Sequence, residues 1–360
     1  MKCWAAFARL GGSRMNMMTR VGSHGELRRQ SRVIRALGSD FVASVLEAGD
    51  RQLHRAPHTA ALIDGWPDDP SSAALAMRFN AALHALARGG NVADLSALYQ
   101  REHDEFDRAI GGALAAHDDF IIRWMQEPTQ TNEVARAAGF AAALMALRVR
   151  TGMPVELLEI GSSCGLNLNL ARYRYDLDGV IAGDPASPVR IAPEWRGMTP
   201  VAAPIEVVAA RGVDLNPLDA ADRRARARLL AFVWADQPRR IERLKTALRI
   251  ARAHPPELTR ADATLWLPEQ VAAPQSEGVC RVVFHSMVIQ YLGRAARSAV
   301  IDAIHAAGAR ATDARPFAWL SFEWTEGREK VELALTCWPD GARRVLATCH
   351  PYGEWFDWHG

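Results

Sequence analysis

From Pro154 onward the sequence alternates short β-rich runs with helical stretches. Residues 155–160, 205–213, 257–262, 280–284 and 317–322 read as strands, and 280–284 is strongly apolar. Helical spacing marks 166–173, 222–253 and 294–307. Strands alternating with helices imply a parallel sheet. The chain then closes with 331–337, a turn holding Asp340-Gly341, and 345–349, which is a hairpin signal. The expected fold is therefore α/β: a mostly parallel sheet with a terminal antiparallel hairpin.

The first third has no such alternation. Stretches 26–37, 40–53, 71–88 and 95–125 carry apolar residues at helical spacing, with Ser71 or Ser72 as a cap for the third. They predict an all-helical lobe over 21–128. Residues 1–20 are interrupted by Arg9, Gly11, Gly12 and Arg14. They predict a loose tail, neither a signal peptide nor a membrane span, with Met15, Met17 and Met18 as alternative starts. Pro128 stops one helix. Thr131 or Asn132 caps the next, which Gly152 and Pro154 end. The α/β domain then covers 129–360, with the Pro- and Gly-rich 176–204 as an insertion.

The first strand runs into "EIGSSCGLNLNL" (159–170). In an open α/β sheet, ligands sit beyond the carboxyl ends of the strands, and this turn is the usual cradle. Gly161 admits a backbone conformation closed to other residues, and Gly165 lets the helix start close to the strand. Glu159 supplies a carboxylate at the strand end. The competing reading is a tight turn that needs glycine for its geometry alone.

Glu159-x-Gly161-x-Ser163-x-Gly165 resembles the first motif of S-adenosylmethionine-dependent methyltransferases, acidic-x-Gly-x-Gly-x-Gly, with Ser163 in place of the central glycine. With "TNEVARA", "GVDLNPLD" and "FHSMVIQY", it also resembles a bacterial family of unknown function with a methyltransferase-like core. The final antiparallel pair agrees with how that fold ends, and it argues against a nicotinamide-dependent oxidoreductase. The resemblance implies S-adenosylmethionine as cofactor. It places the amino-acid part on Glu159, Gly161, Ser162, Ser163, Gly165 and Asn167, with Thr131 and Asn132 folding over the ligand. A ribose acid is expected at the end of the second strand. Asp184 has the usual spacing and Asp214 ends the better strand, so Asp214 is preferred. Asp262 stands where an acid meets the adenine amine; its competing reading is a helix cap.

His285, just past the fourth strand, is the candidate catalytic residue, as a base toward the methyl acceptor. The competing reading is a histidine satisfied by a backbone carbonyl. An enzyme acting on a small molecule and a non-catalytic ligand-binding or regulatory protein both fit these features.

Composition narrows the partners. The 360 residues are 49 % hydrophobic and 23 % charged, ordinary for a soluble globular chain, with a net charge of +2. Lysines are only Lys2, Lys245 and Lys330, and no basic run is interleaved with aromatics, so no nucleic-acid partner is expected. The arginines 223, 224, 226 and 228 read as a solvated helix face. No apolar run approaches the about 18 residues a membrane helix needs. Cys3, Cys164, Cys280, Cys337 and Cys349 are scattered, which predicts a reducing cytoplasm and no metal site.

Overall fold

A computed structural model describes residues 25–67, 69–71 and 73–360. The expected tail over 1–20 and the Ser72 cap lie outside the described residues. In chain order the helices are α1 (Glu26–Ala36), α2 (Asp40–Gln52), α3 (Pro57–Asp64), α4 (Leu75–Gly89), α5 (Ala93–Tyr99), α6 (Phe106–Gln126), α7 (Ala137–Thr151), α8 (Arg223–Phe232), α9 (Pro238–Ala253), α10 (Ala263–Ala272) and α11 (Arg294–Gly308). The strands are β1 (Val155–Ile160), β2 (Arg174–Leu177), β3 (Val180–Gly183), β4 (Arg190–Ile191), β5 (Glu194–Gly197), β6 (Val207–Asp214), β7 (Glu257–Arg260), β8 (Cys280–Ser286), β9 (Phe317–Trp324), β10 (Val331–Trp338), β11 (Ala342–Cys349) and β12 (Trp355–Trp358).

The chain divides into two compact units. The helical unit runs to Thr131 and also takes Arg223–Glu242, a segment that a sequence boundary at residue 129 leaves with the α/β part. Phe41, Leu46, Phe79, Leu83 and Leu114 bury the inner faces of its helices. Full burial of such side chains contributes about 1.5–3 kcal/mol each. Ser39 caps α2 by accepting from the Val42 amide at 3.1 Å, and its hydroxyl donates to Asp236 at 2.7 Å.

Sequence expectations need correction in this unit. Ser71 is not the cap of α4. That helix begins at Leu75 behind Ala74 in a left-handed conformation, and the Ser71 hydroxyl accepts from Arg29 and Gln30 instead. The stretch 222–253 is two helices, α8 and α9. Pro238 opens the second, and a residue before proline disfavours the helical region, so the chain breaks there. Arg228 is not solvated. It is buried, donates to the Pro128 carbonyl at 2.7 Å, pairs with Glu127 at 2.6 Å, and lies over the Trp124 and Phe232 rings.

The α/β unit comprises Asn132–Asp222 and Arg243–Gly360. Among the described residues its main sheet has nine strands in the order β5-β12-β11-β10-β9-β8-β1-β6-β7. β1 pairs in parallel with β6 on one side and β8 on the other; β6–β7 and β8–β9 are parallel too. The order reverses at β1/β8, and a crevice beyond the strand ends is the place an open sheet offers a ligand. The expected hairpin is present as β10–β11, but the antiparallel part is larger. β9 turns back directly into β10 with no helix between them, and β12 adds on beside β11. The last expected strand, 317–322, thus belongs to both parts, parallel to β8 on one side and antiparallel to β10 on the other.

One face of this sheet packs Leu158, Ile160, Val213 and Val283 against Trp266, Leu267, Val300 and Ile304 of α10 and α11. On the other, Phe140 of α7 meets Phe284 edge-on at 5.0 Å and Phe322 at 6.2 Å. Segment 176–204 is not a bare insertion. β2, β3 and β4 make a small sheet of their own, and β5 pairs in parallel with β12 at the edge of the main sheet.

Candidate functional site

β1 delivers Glu159 to the turn as its penultimate residue. Glu159 pairs across the sheet with Gly212 and Phe284, and Ile160 with His285. Side chains alternate along a strand, so Glu159 and His285 leave the sheet on opposite faces. The two sequence-derived candidates therefore do not converge on one pocket wall.

The loop after Ile160 is tied down by its own chain. The Gly161 and Ser162 amides donate to the Val213 carbonyl, and the Gly165 amide to the Ser162 carbonyl. The Ser163 amide donates to Asp214 at 2.8 Å and the Leu166 amide to Asn132 at 3.0 Å. The other Asp214 oxygen accepts from the Asn216 amide at 2.8 Å, an Asx turn. Asp214 is thus brought to the loop. Asp184 follows β3 in the small sheet and accepts from the Ala186 amide.

Both glycines have positive φ, +67° each. A Cβ at Gly161 would lie 2.5 Å from Val288 Cγ2, and one at Gly165 would lie 2.7 Å from Pro256. Ser163 also takes a positive φ, +53°. Its side chain therefore occupies a left-handed position that glycine would fill without strain.

Beneath the loop lie acceptors without donors. Glu159 is 2 % exposed, Ser162 0 % and Asn167 1 %. The Asn167 amide donates to Glu159 Oε1 at 3.1 Å. Glu159 Oε2, Ser162 Oγ and Asn167 Oδ1 have no hydrogen-bond partner among the described residues. A buried polar atom left unpaired costs about 1–3 kcal/mol, so such a group calls for a donor. Burial, opposed by the Asn167 amide and reinforced by the charge of Asp214, pushes the Glu159 carboxyl up to about 8. Burial likewise lifts the neighbouring Cys164 thiol to about 12.

His285 is 0 % exposed and both ring nitrogens are engaged. Nδ1 lies 2.7 Å from Glu323 Oε1, and the Trp319 indole nitrogen lies 2.9 Å from Nε2. An indole N–H can only donate, so Nε2 accepts and the ring proton sits on Nδ1. Glu323 Oε1 also accepts from the Val288 and Ile289 amides at 2.8 and 3.2 Å. The role of base expected for His285 needs a free lone pair, and here that lone pair is spent on Trp319. A cavity of about 440 Å³ opens beside the ring, lined by Gln290, Arg297, Trp319, Ser321 and Glu323 among others.

Asp262 is the N-cap of α10. Its Oδ1 accepts from the Thr264 amide and hydroxyl at 2.8 and 2.7 Å, which hold the carboxyl below its usual range, the hydroxyl more than the amide. Neither Thr131 nor Asn132 caps a helix. Glu133 caps the 3-10 turn Val134–Arg136 that leads into α7, accepting from the Ala135 amide, and Asn132 holds the loop instead. Thr131 is exposed and counts with the helical unit. Sequence reasoning missed Trp319, Glu323 and Val288. The first two share a face of β9 by alternation, but nothing in that pattern names the histidine they hold.

No group of three or more His, Cys, Asp and Glu suited to a metal occurs among the described residues. Cys164, Cys280, Cys337 and Cys349 are buried and free. No described helix is long and apolar enough to cross a membrane. Residues 24–358 match the family described as an uncharacterized protein conserved in bacteria (DUF2332), and the chain belongs to that family. No curated protein and no solved structure matches the chain.

Proposed function

We propose that the chain binds S-adenosylmethionine at the Glu159–Asn167 loop and transfers its methyl group to a small molecule. The observation that carries this reading is the set of orphaned, buried acceptors Glu159 Oε2, Ser162 Oγ and Asn167 Oδ1. They suit a ligand rich in N–H donors, and they lie at the switch point of the sheet. The amino group of the ligand would be held by Glu159, Ser162 and Asn167. Asp214 and Asp262, each with lone pairs to spare, would take the ribose hydroxyls and the adenine amine. The bound cofactor would supply an electrophilic methyl group on a positively charged sulfur.

The same loop is poorly suited to a dinucleotide. A pyrophosphate needs free amides, and those of Gly161, Ser162, Ser163, Gly165 and Leu166 are already donating within the chain. The state of His285 bears on catalysis. With its lone pair on Trp319, it leaves transfer to depend on alignment of an acceptor that needs no base. The same contact favours the second reading, a non-catalytic ligand-binding or regulatory protein on this fold.

Calorimetric titration with S-adenosylmethionine, S-adenosylhomocysteine and NAD tests the reading. Binding of the first two and not of NAD is expected, with Asn167→Ala weakening both by about tenfold, the worth of about one lost hydrogen bond. No heat from either, with the protein folded, removes the proposal. Bound S-adenosylmethionine that methylates nothing in a metabolite extract decides for the second reading.

A further inference from the structure

The orphaned acceptors under the glycine loop specify the charge of what they accept. Glu159 is enclosed by β1, its sheet neighbours and the turn. Its cross-strand partners Gly212 and Phe284 carry no charge. The titratable groups that act on it or feel it are the Asp214 carboxylate and the Tyr173 phenol, and Tyr173 in turn feels the Cys164 thiol. No cation is among them. Tyr173 spends its hydroxyl on the Leu166 carbonyl and Asn167 its amide on Glu159 Oε1. A carboxylate in this position would be a buried charge with a like charge nearby and no counter-ion, an arrangement proteins avoid by holding the proton. The protonated acid, by contrast, carries no charge and needs no counter-ion.

Resting on the reading of this loop as a ligand site, we infer that Glu159 exchanges its proton for the positive charge of an amine-bearing ligand. The ligand arrives as R–NH3⁺. The Glu159 O–H bond breaks, the proton leaves to solvent, and the carboxylate left behind pairs with the ammonium, so the charge of the pocket is unchanged. The site thereby selects cationic amines over neutral donors of the same shape. It binds them more tightly as pH rises toward the point at which the free acid gives up its proton.

The test is calorimetry with S-adenosylhomocysteine, which carries the ammonium group, at pH 6.5 in phosphate and in Tris. These buffers differ widely in ionisation heat. Release of about one proton per ligand is expected, with affinity rising about tenfold per pH unit below pH 8, as linkage of one proton requires. 5′-Methylthioadenosine, which has no amino-acid part, should bind without proton release. Glu159→Gln, isosteric with the protonated acid, should fold normally and bind S-adenosylhomocysteine with no proton released and no pH slope. Binding of S-adenosylhomocysteine with equal heats in both buffers overturns the exchange and leaves the cofactor reading standing. No binding of either compound overturns the cofactor reading, and the exchange with it.

Discussion

Trp319 Nε1 lies 2.9 Å from His285 Nε2, and this contact fixes the protonation of the ring. The indole donates, so the imidazole accepts there and turns its single proton toward Glu323. Glu323 in turn holds the Val288 and Ile289 amides, and Val288 fills the space above Gly161. A histidine that sequence position marks as a base is, in the fold, part of the scaffold that shapes the glycine loop.

Replacing Trp319 by Phe should therefore destabilise the protein. The buried Nε2 loses its donor, at a cost of about 1–3 kcal/mol, with a packing loss added. Denaturant titration reads the loss. ¹⁵N NMR of labelled histidine in the unaltered protein should show Nδ1 protonated and Nε2 bare. The opposite tautomer would refute the assigned direction of the Trp319 hydrogen bond.

Gly161 and Val288 should be energetically coupled. An alanine at 161 meets Val288 Cγ2 at 2.5 Å and sits at φ +67°. The left-handed backbone alone costs about 1–2 kcal/mol, and the collision adds to it. In a Val288→Ala background both γ-carbon collisions are removed, leaving the backbone cost and a close approach of 3.3 Å to the Cβ of residue 288. A double-mutant cycle should thus give a coupling of about 1 kcal/mol or more. Zero coupling would mean the loop moves freely away from Val288. For the same reason a bulky Gly161 variant cannot report on ligand binding, because the fold suffers first.

Much of the α/β unit was legible because its strands are apolar runs set off by turn residues. The 280–284 run is buried throughout as part of β8, and Asp340-Gly341 closes the β10–β11 hairpin as its letters suggest. β4 and β5 were not legible. β4 has two residues, and β5 is stabilised by pairing with β12, about 160 positions away, a partnership no local pattern encodes. The glycine loop is legible as a motif, and strand character separates Asp214, which ends a strand beside β1, from Asp184, which follows β3 in the small sheet. What the motif hid is that its amides are already satisfied, since Asp214 and Asn132 are remote in sequence. Ser71 and Asn132 are not caps: the helix after Ser71 begins only at Leu75, and both side chains accept from residues remote in sequence.

Asp262 offers a separation of two roles. As N-cap of α10 it accepts from Thr264, so Asp262→Ala should cost about 1 kcal/mol of stability. Asp262→Asn preserves the cap, because asparagine caps as well as aspartate does. If the carboxylate also holds the adenine amine, Asp262→Asn should leave thermal stability within a degree or so while weakening S-adenosylhomocysteine several-fold. Unchanged affinity in Asp262→Asn would reduce the residue to a cap.

Glu159 should give the folded protein an unusual pH dependence. Its carboxyl is pushed up to about 8 by burial, against an ordinary value of 4.5 in the unfolded chain. Between these values the folded state keeps a proton that the unfolded state has released. Stability therefore falls as pH rises through this window. The contribution is fully present below about pH 4.5 and lost by the time pH passes about 8. The limiting slope is about 1.4 kcal/mol per pH unit, and relaxation of the buried site reduces the total to a few kcal/mol. Glu159→Gln carries no titrating group, so this part of the slope should vanish. The variant should be more stable than the parent at pH 9 and close to it at pH 5. Urea denaturation at both values measures this. Parallel pH profiles for the two proteins would mean that Glu159 is ionised in the native state and has found a cation.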